Sequence, residues 1–390
     1  MDYELSDEQK MIKETARKVG EAFGLEYWRD RDAAHEFPAE AWQAICDAGL
    51  CGVALPEEYG GSNLGMLEVA LVVEEVAAGG AGSTIGQLFI TNPCFGGVAI
   101  LNHGTPQMRK EMLPKLVSGE LKFCMALTEP DAGINTTSIT SFAAKDGDGW
   151  RLNGRKIWIT SVPEAQKMLV IARTQRLDEV ERKTHGISLF MIDVEREGLS
   201  YFPIEKAGTN TLTSSNVFFD SVQIEPEELI GTEHKAWIEL WDVLNTERLV
   251  ATAAMVGAGR LALRLAVEYV NERKVFGKTP IGAYQSIQHP LAEAHALLSC
   301  AREMNFKAAW LCDNGLPYAS EANTAKLIGA RGLALATERA MKSMGGMGYA
   351  RASYVERLWR DAWLSQVAPV PEEMILNFIA QQDLGLPRSY

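Results

Sequence analysis

Residues 150–161, WRLNGRKIWITS, decide how this chain divides. Aromatic and β-branched residues flank Asn153-Gly154, a pair that favours tight turns between strands, so the stretch predicts a hairpin turning at those two residues. Short runs of the same character follow: KMLVIAR (167–173), HGISLFMIDV (185–194), LSYFPIEK (199–206) and SNVFFDSVQI (215–224), with turn residues between them. The block from Cys124 to about Ile230 therefore reads as an all-β domain.

The sequence on both sides of this block has a helical period. On the N-terminal side, Ser6 followed by Gln9 makes a capping box ahead of Met11, Ile12, Ala16 and Val19. Further helices are expected over 38–48, closed by Gly49, over 67–78 after the turn-rich PEEYGGSN (56–63), and over 106–117. From Trp237 the helical period returns and holds nearly to the end, interrupted at 276–282 and 345–348. The fold class expected is a multidomain α+β protein: a helical domain over 1–123, a β domain over 124–235 and a helical domain over 236–390.

Composition narrows the function. The 390 residues bury about three quarters of the unfolded surface in a chain this long, enough for two or three domains. Lys+Arg 38 against Asp+Glu 51 leaves a net charge of −13, which repels phosphate backbones and argues against a nucleic-acid partner. The six cysteines form no CxxC and sit mostly among apolar residues, as reduced thiols of a cytoplasmic protein do. The polar, acidic start MDYELSDEQK has no secretion-signal pattern. The uncharged run 76–108 carries seven glycines and two prolines and reads as buried helices and a loop, so no membrane span is expected.

Familiar catalytic patterns fail their context tests. GGMG (345–348) lies between helices rather than after a strand, there is no GxSxG, and the six histidines have no arranged partner. Four other stretches carry potential chemistry. ALTEPDAG (126–133) is a turn at the helix-to-sheet junction whose backbone amides could hold a polar group, or an ordinary domain connection. KIWITS puts Trp158 and Thr160 two apart, on one side of a strand, where an indole and a hydroxyl could cover a flat heteroaromatic ligand; one core aromatic beside a surface threonine is an equal alternative. ERKVFGK (272–278) sets Arg273 and Lys274 before an aromatic-glycine turn, suited to pyrophosphate and equally to a solvated helix end. NTERLVATAA (245–254) places Glu247 and Arg248 near the start of an apolar helix. There a carboxylate is either a base raised towards neutrality or an acid stabilised by the helix dipole.

Together with LSDEQ near the start, PEEYGG, LPKLVSGE, GGMGY and ERLWRDA, in this order around the four, these stretches resemble the acyl-CoA dehydrogenase family over essentially the whole chain. The resemblance implies a helical domain, a β-barrel domain and a C-terminal four-helix-bundle domain, with FAD held between the last two. By position, Met125, Leu127, Thr128, Trp158 and Thr160 line the isoalloxazine, and Lys342, Gly345 and Gly346 approach the cofactor. Arg273, Phe276 and Gln285 reach the cofactor of a neighbouring subunit in a homotetramer built from dimers. The implied reaction is α,β-dehydrogenation of an acyl-CoA to a trans-2-enoyl-CoA, as in fatty-acid β-oxidation. A base takes the α-proton, the β-hydride goes to flavin N5, and electrons leave through an electron-transfer flavoprotein. An enoyl-CoA reductase of the same fold, or a non-catalytic subunit that works with a partner chain, are the other readings.

The resemblance also locates the base. Many members carry it eight residues beyond the Asp of the RDA motif, which here is Pro369. Members resembling isovaleryl-CoA and long-chain dehydrogenases carry it on the helix beginning NTERLV, and there Glu247 stands, with Arg248 beside it. Ala368 leaves room for substrate. Pro369 has no N–H with which to polarise the thioester oxygen, so Val370 donates instead or the loop is reshaped. Ile134 in place of a serine, Lys342 in place of a glutamine and Pro371 in place of a threonine are further departures.

Overall fold

The computed structural model describes residues 4–388. The chain begins in helices: α1 Asp7–Ala34, α2 Ala39–Asp47, α3 Met66–Val76, α4 Thr84–Phe89, α5 Ala99–His103 and α6 Pro106–Val117, with a π-helical stretch Ile90–Val98 joining α4 to α5. The Ser6 hydroxyl accepts from the Gln9 N–H at 3.1 Å, and the Gln9 side chain accepts from the Ser6 N–H at 3.0 Å, which closes the expected capping box. Eight strands follow: β1 Phe123–Ala126, β2 Phe142–Asp146, β3 Gly149–Thr160, β4 Lys167–Arg173, β5 Ile187–Asp193, β6 Leu199–Ile204, β7 Ser214–Ile224 and β8 Leu229–Ile230. Three long helices complete the body, α7 Ala236–Glu272, α8 Gln285–Asp313 and α9 Ala319–Met344. The rest of the C-terminal domain is divided among the short α10 Val355–Ala362, α11 Leu364–Val367 and α12 Glu372–Phe378.

The expected hairpin turn is displaced. Residues 149–160 form one strand, and the chain reverses at Gly147-Asp148, with Gly147 at φ +60°, where β2 meets β3. Asn153-Gly154 instead marks a bulge in the β3–β7 ladder, where the pairing slips between Leu152 and Gly154. Gly154 takes φ +155°, and a Cβ there would lie 2.3 Å from the Ser141 hydroxyl. A bulge and a tight turn ask for the same residue type, so local sequence does not separate them.

The sheet runs β6-β7-β3-β2-β4-β5-β8, with β1 parallel to β4. Its halves join at a single pair, Phe142 with Arg173, and fold towards each other there. Trp150, Leu152, Val217, Phe219 and Val222 from one half pack with Met168, Val170, Ala172, Phe190 and Ile192 from the other. The opposite faces of β4 and β5, including Leu169, Ile171, Leu189 and Met191, join the helical core instead. Burial on both faces is why these strands read as unbroken apolar runs. Edge strand β6, by contrast, leaves Tyr201 and Phe202 exposed.

The motif ERLWRDA fastens the three domains. Buried Arg357 donates to the carbonyls of Gly80 at 2.6 Å and Ala81 at 3.2 Å. Asp361 accepts from the Thr209 N–H at 2.6 Å, while Arg360 pairs with Asp32 of α1 at 2.7 Å and donates to the Ala207 carbonyl at 3.0 Å. Buried Glu74 of α3 is bound by Arg260 of α7 at 2.5 Å and Arg302 of α8 at 2.9 Å. Two helical stretches, Thr84–His103 and Ala236–Glu272, are long and apolar enough to cross a membrane, and 78% of the apolar 18-residue window in each is buried inside this fold.

Candidate active site

The loop after β1 closes on itself rather than offering all its amides: the N–H groups of Glu129 and Ala132 donate to each other's carbonyls at 3.3 and 3.1 Å. What organises it is a buried ion pair. Lys156 of β3 lies wholly inside and donates to the Glu129 carboxylate and the Leu127 carbonyl, both at 2.9 Å. The Thr140 N–H, the Thr140 hydroxyl and the Ser141 N–H complete the carboxylate's shell at 2.6, 2.9 and 2.9 Å. Burial would push the Glu129 carboxyl up, but Lys156 and these donors outweigh it and hold it down at about 2. The same burial lowers the Lys156 ammonium to about 8 against the attraction of Glu129. The Ile157 N–H then donates to the Thr128 carbonyl at 2.9 Å, so loop and strand move as one.

On this platform Trp158, at φ +62° in a second bulge, is 54% exposed. Thr160 is half-buried beyond inward-facing Ile159, and Met125 and Thr128 are half-buried on β1 and its loop. Leu127 differs from expectation: its side chain is buried in the core, leaving its backbone on the loop side. The hydroxyls of Thr128 and Thr160 enter no hydrogen bond with the described residues. Two half-buried hydroxyls without partners beside an open indole fit a flat, polar-rimmed ligand. Gly345, at φ +58°, and Gly346 are exposed, and a Cβ on either would meet open space, so backbone there is free to be approached.

Glu247 is not near a helix start. It is eleven residues beyond Ala236, about three turns into α7, so the helix dipole no longer reaches it. It receives no hydrogen bond from the described residues, and burial raises its carboxyl to about 7 despite the cations of Arg248 and Lys326. Arg248 is tied back to the Asn245 side chain at 2.6 Å and the Leu244 carbonyl at 3.2 Å, with burial lowering its pKa. The loop bearing Ala368 and Pro369 is connected to Glu247 through Lys326, whose charge acts on that carboxylate. Its Ser365 and Val370 carbonyls accept from Lys326 of α9 at 2.8 and 2.6 Å, and the Val370 N–H is left without an intramolecular partner among the described residues.

Arg273 and Phe276 lie apart, on the exposed connection between α7 and α8, with Gln285 at the exposed start of α8, and Phe276 is fully open to solvent. Among the described residues, no side-chain hydrogen bond joins the three to the sheet domain. Lys342 is exposed and paired with Glu338 one turn earlier. Sequence reasoning missed Lys156, Glu129 and Lys326. The first two had a signal, since alternation along β3 points Arg155 out and Lys156 in, and an inward lysine demands an anion.

Three family models cover the chain: acyl-CoA dehydrogenase N-terminal domain at residues 6–120, middle domain at 124–222 and C-terminal domain at 239–384. The acyl-CoA dehydrogenase FadE12 of Mycobacterium tuberculosis is 40% identical over 389 residues, covering 99% of this chain and 98% of its own. Among solved structures, a glutaryl-coenzyme A dehydrogenase in complex with glutaryl-CoA superposes with a TM-score of 0.94 at 29% identity, over 100% of this chain and 98% of that one. PigA in complex with FAD superposes with a TM-score of 0.92 at 25% identity, over 99% of this chain and 100% of its own.

Proposed function

The chain belongs to the acyl-CoA dehydrogenase family, and from that premise we propose that Glu247 is the base that takes the α-proton of an acyl-CoA thioester on the way to a trans-2-enoyl-CoA. The protein is an FAD-dependent oxidoreductase acting on acyl-CoA. When bound, FAD supplies the acceptor for the β-hydride. Met125, the Leu127 backbone, Thr128, Trp158 and Thr160 would hold it on the sheet side, with Lys342, Gly345 and Gly346 approaching from α9 and the turn after it. Arg273, Phe276 and Gln285 would serve a second copy's cofactor. The full exposure of Phe276 supports that arrangement and the homotetramer it implies.

The observation that carries the reading is the half-buried Glu247 side chain, set about three turns into an apolar helix without a hydrogen-bond donor among the described residues, its carboxyl raised by desolvation to about 7. A base is most effective when its pKa lies near the working pH, because it is then both available and strong enough. Arg248 and Lys326 keep part of the population ionised. Pro369 has neither a carboxylate nor an N–H, so the uncommitted Val370 N–H takes over polarisation of the thioester oxygen. Ala368 leaves space beside the reacting carbons, which favours branched acyl groups.

The remaining elements of the reading belong together: division into domains at 123/124 and 235/236, the second supported by α7 starting at Ala236 and the first falling one residue inside β1, which starts at Phe123; electron-transfer flavoprotein as acceptor; and a cytoplasmic place in β-oxidation. The test is anaerobic absorbance titration of the FAD-loaded protein with straight, branched and cyclic acyl-CoAs. Bleaching of the oxidised flavin band by one class supports the reading and ranks substrates. Flavin that binds but is bleached by no saturated thioester would point to Pro369 and to the second reading, a partner subunit without turnover of its own.

A further inference from the structure

A buried ammonium that makes no carboxylate hydrogen bond is costly, and α9 carries one. Lys326 is 1% exposed, and its hydrogen-bond partners are two neutral carbonyls, Ser365 at 2.8 Å and Val370 at 2.6 Å. These two carbonyls bracket the segment that contains Ala368 and Pro369. One helical turn further on, the Ala330 carbonyl accepts from Gln366 at 2.8 Å, so α9 grips the segment twice. The anions that balance Lys326 stand further off: Glu372 and Glu373 of α12, and Glu247 of α7. Glu372 is partly claimed by Arg331 at 2.5 Å.

We propose that Lys326 is a positioning residue for proton abstraction: it clamps the 365–371 loop to α9 while its charge sets the electrostatic balance around Glu247. The inference rests on Glu247 being the base. It explains how a loop that has lost the family's usual carboxylate keeps a defined shape: the lysine holds the carbonyl side of Val370 and leaves the N–H side free for substrate. It also couples loop and base, since one ammonium serves both.

The charged and titratable groups facing Glu247 are few. Arg248 lies on its own helix, Lys326 comes from α9, and Cys94 from the π-helical stretch has a thiol pushed by burial to about 12, which stays neutral. Around Lys326 stand Arg248, Glu372, Glu373 and Glu247. Removing the Lys326 charge therefore removes one of two cations opposing the burial of Glu247. The carboxyl must then move further up, and the acid limb of kcat/KM moves with it to higher pH.

Three variants separate the clamp from the charge. Lys326→Gln keeps a donor for the loop without the charge, Lys326→Met removes both, and Lys326→Arg keeps the charge. The acid limb is expected to rise by about half a pH unit or more in Lys326→Gln and Lys326→Met, and to stay in place in Lys326→Arg. Hydrogen exchange across 363–371 in the unliganded protein, which needs no turnover, is expected to quicken most in Lys326→Met. KM is expected to rise several-fold in that variant and to stay within about threefold of the parent in Lys326→Gln. A limb that stays put in both neutral variants, or loop exchange unchanged in Lys326→Met, overturns the proposal. Glu247→Gln is measured beside them. If it still turns over within a few fold, the base assignment itself falls and this inference with it; if it is inactive while the limb does not move, only the role of Lys326 falls.

Discussion

Glu129 is buried and Glu247 half-buried, and the surroundings of the two carboxylates differ most in the donors they meet. Glu129 receives four hydrogen bonds, one of them from the Lys156 ammonium. Glu247 receives none from the described residues, and its cations act from a distance. The first is held ionised at about 2 and the second lifted to about 7. Burial alone does not make a base. Burial without donors lifts a carboxyl to where the proposed base role becomes available, and burial with donors makes a structural post.

The largest effect that would break this contrast is on turnover. Glu247→Gln is expected to lower kcat by about 10³-fold with FAD binding intact, measured by single-turnover flavin reduction. Glu129→Gln is expected to act on the fold instead. It leaves the Lys156 charge buried and unpaired, at a cost of about 3–5 kcal/mol, read as a fall in thermal midpoint together with lost flavin content.

The pH dependence of stability sharpens the contrast because its signs are opposite. Glu129 has a lowered folded pKa, so its contribution is present above the ordinary carboxylate range and is lost as pH falls from about 4.5 towards 2. Glu247 has a raised folded pKa, so its contribution is present below about 4.5 and is lost as pH rises through about 7. Glu247→Gln should therefore be more stable than the parent at pH 8, by up to about 3 kcal/mol, with the advantage fading towards pH 5. Denaturant melts at the two pH values check this. The smallest effect is the control: Glu338→Gln removes the exposed partner of Lys342 and should leave the thermal midpoint within about 1 °C.

Much of this was legible in the sequence, and the reasons are local. Helix α1 announced itself by its capping box and period, α6 by its fit to a helix over 106–117, and β4 by an apolar run of the right length. The bulge at Gly154 was misread as a turn because its backbone demand is the same, and only the distant partner strand β7 distinguishes them. Glu247 was picked out as a candidate but read as lying near the start of its helix, although the helical period already returns at Trp237 and α7 begins at Ala236. Lys326 left no trace at all. Its partners are main-chain carbonyls some forty residues on, and a carbonyl has no letter in the sequence.

The anchoring of α10 bears on how the chain is made. Arg357, Arg360 and Asp361 complete contacts with Asp32, Gly80, Ala81 and Thr209 that have waited since the first tenth to first half of synthesis. Emerging from the ribosome, the N-terminal helices and the sheet can collapse and begin to pack on each other, as through the Phe123 N–H on the Asn92 side chain, but the contacts made by α10 close only when the last tenth of the chain is released. Until then Asp32 is an acid without its arginine, and the half-finished protein is the form that chaperones and proteases would meet.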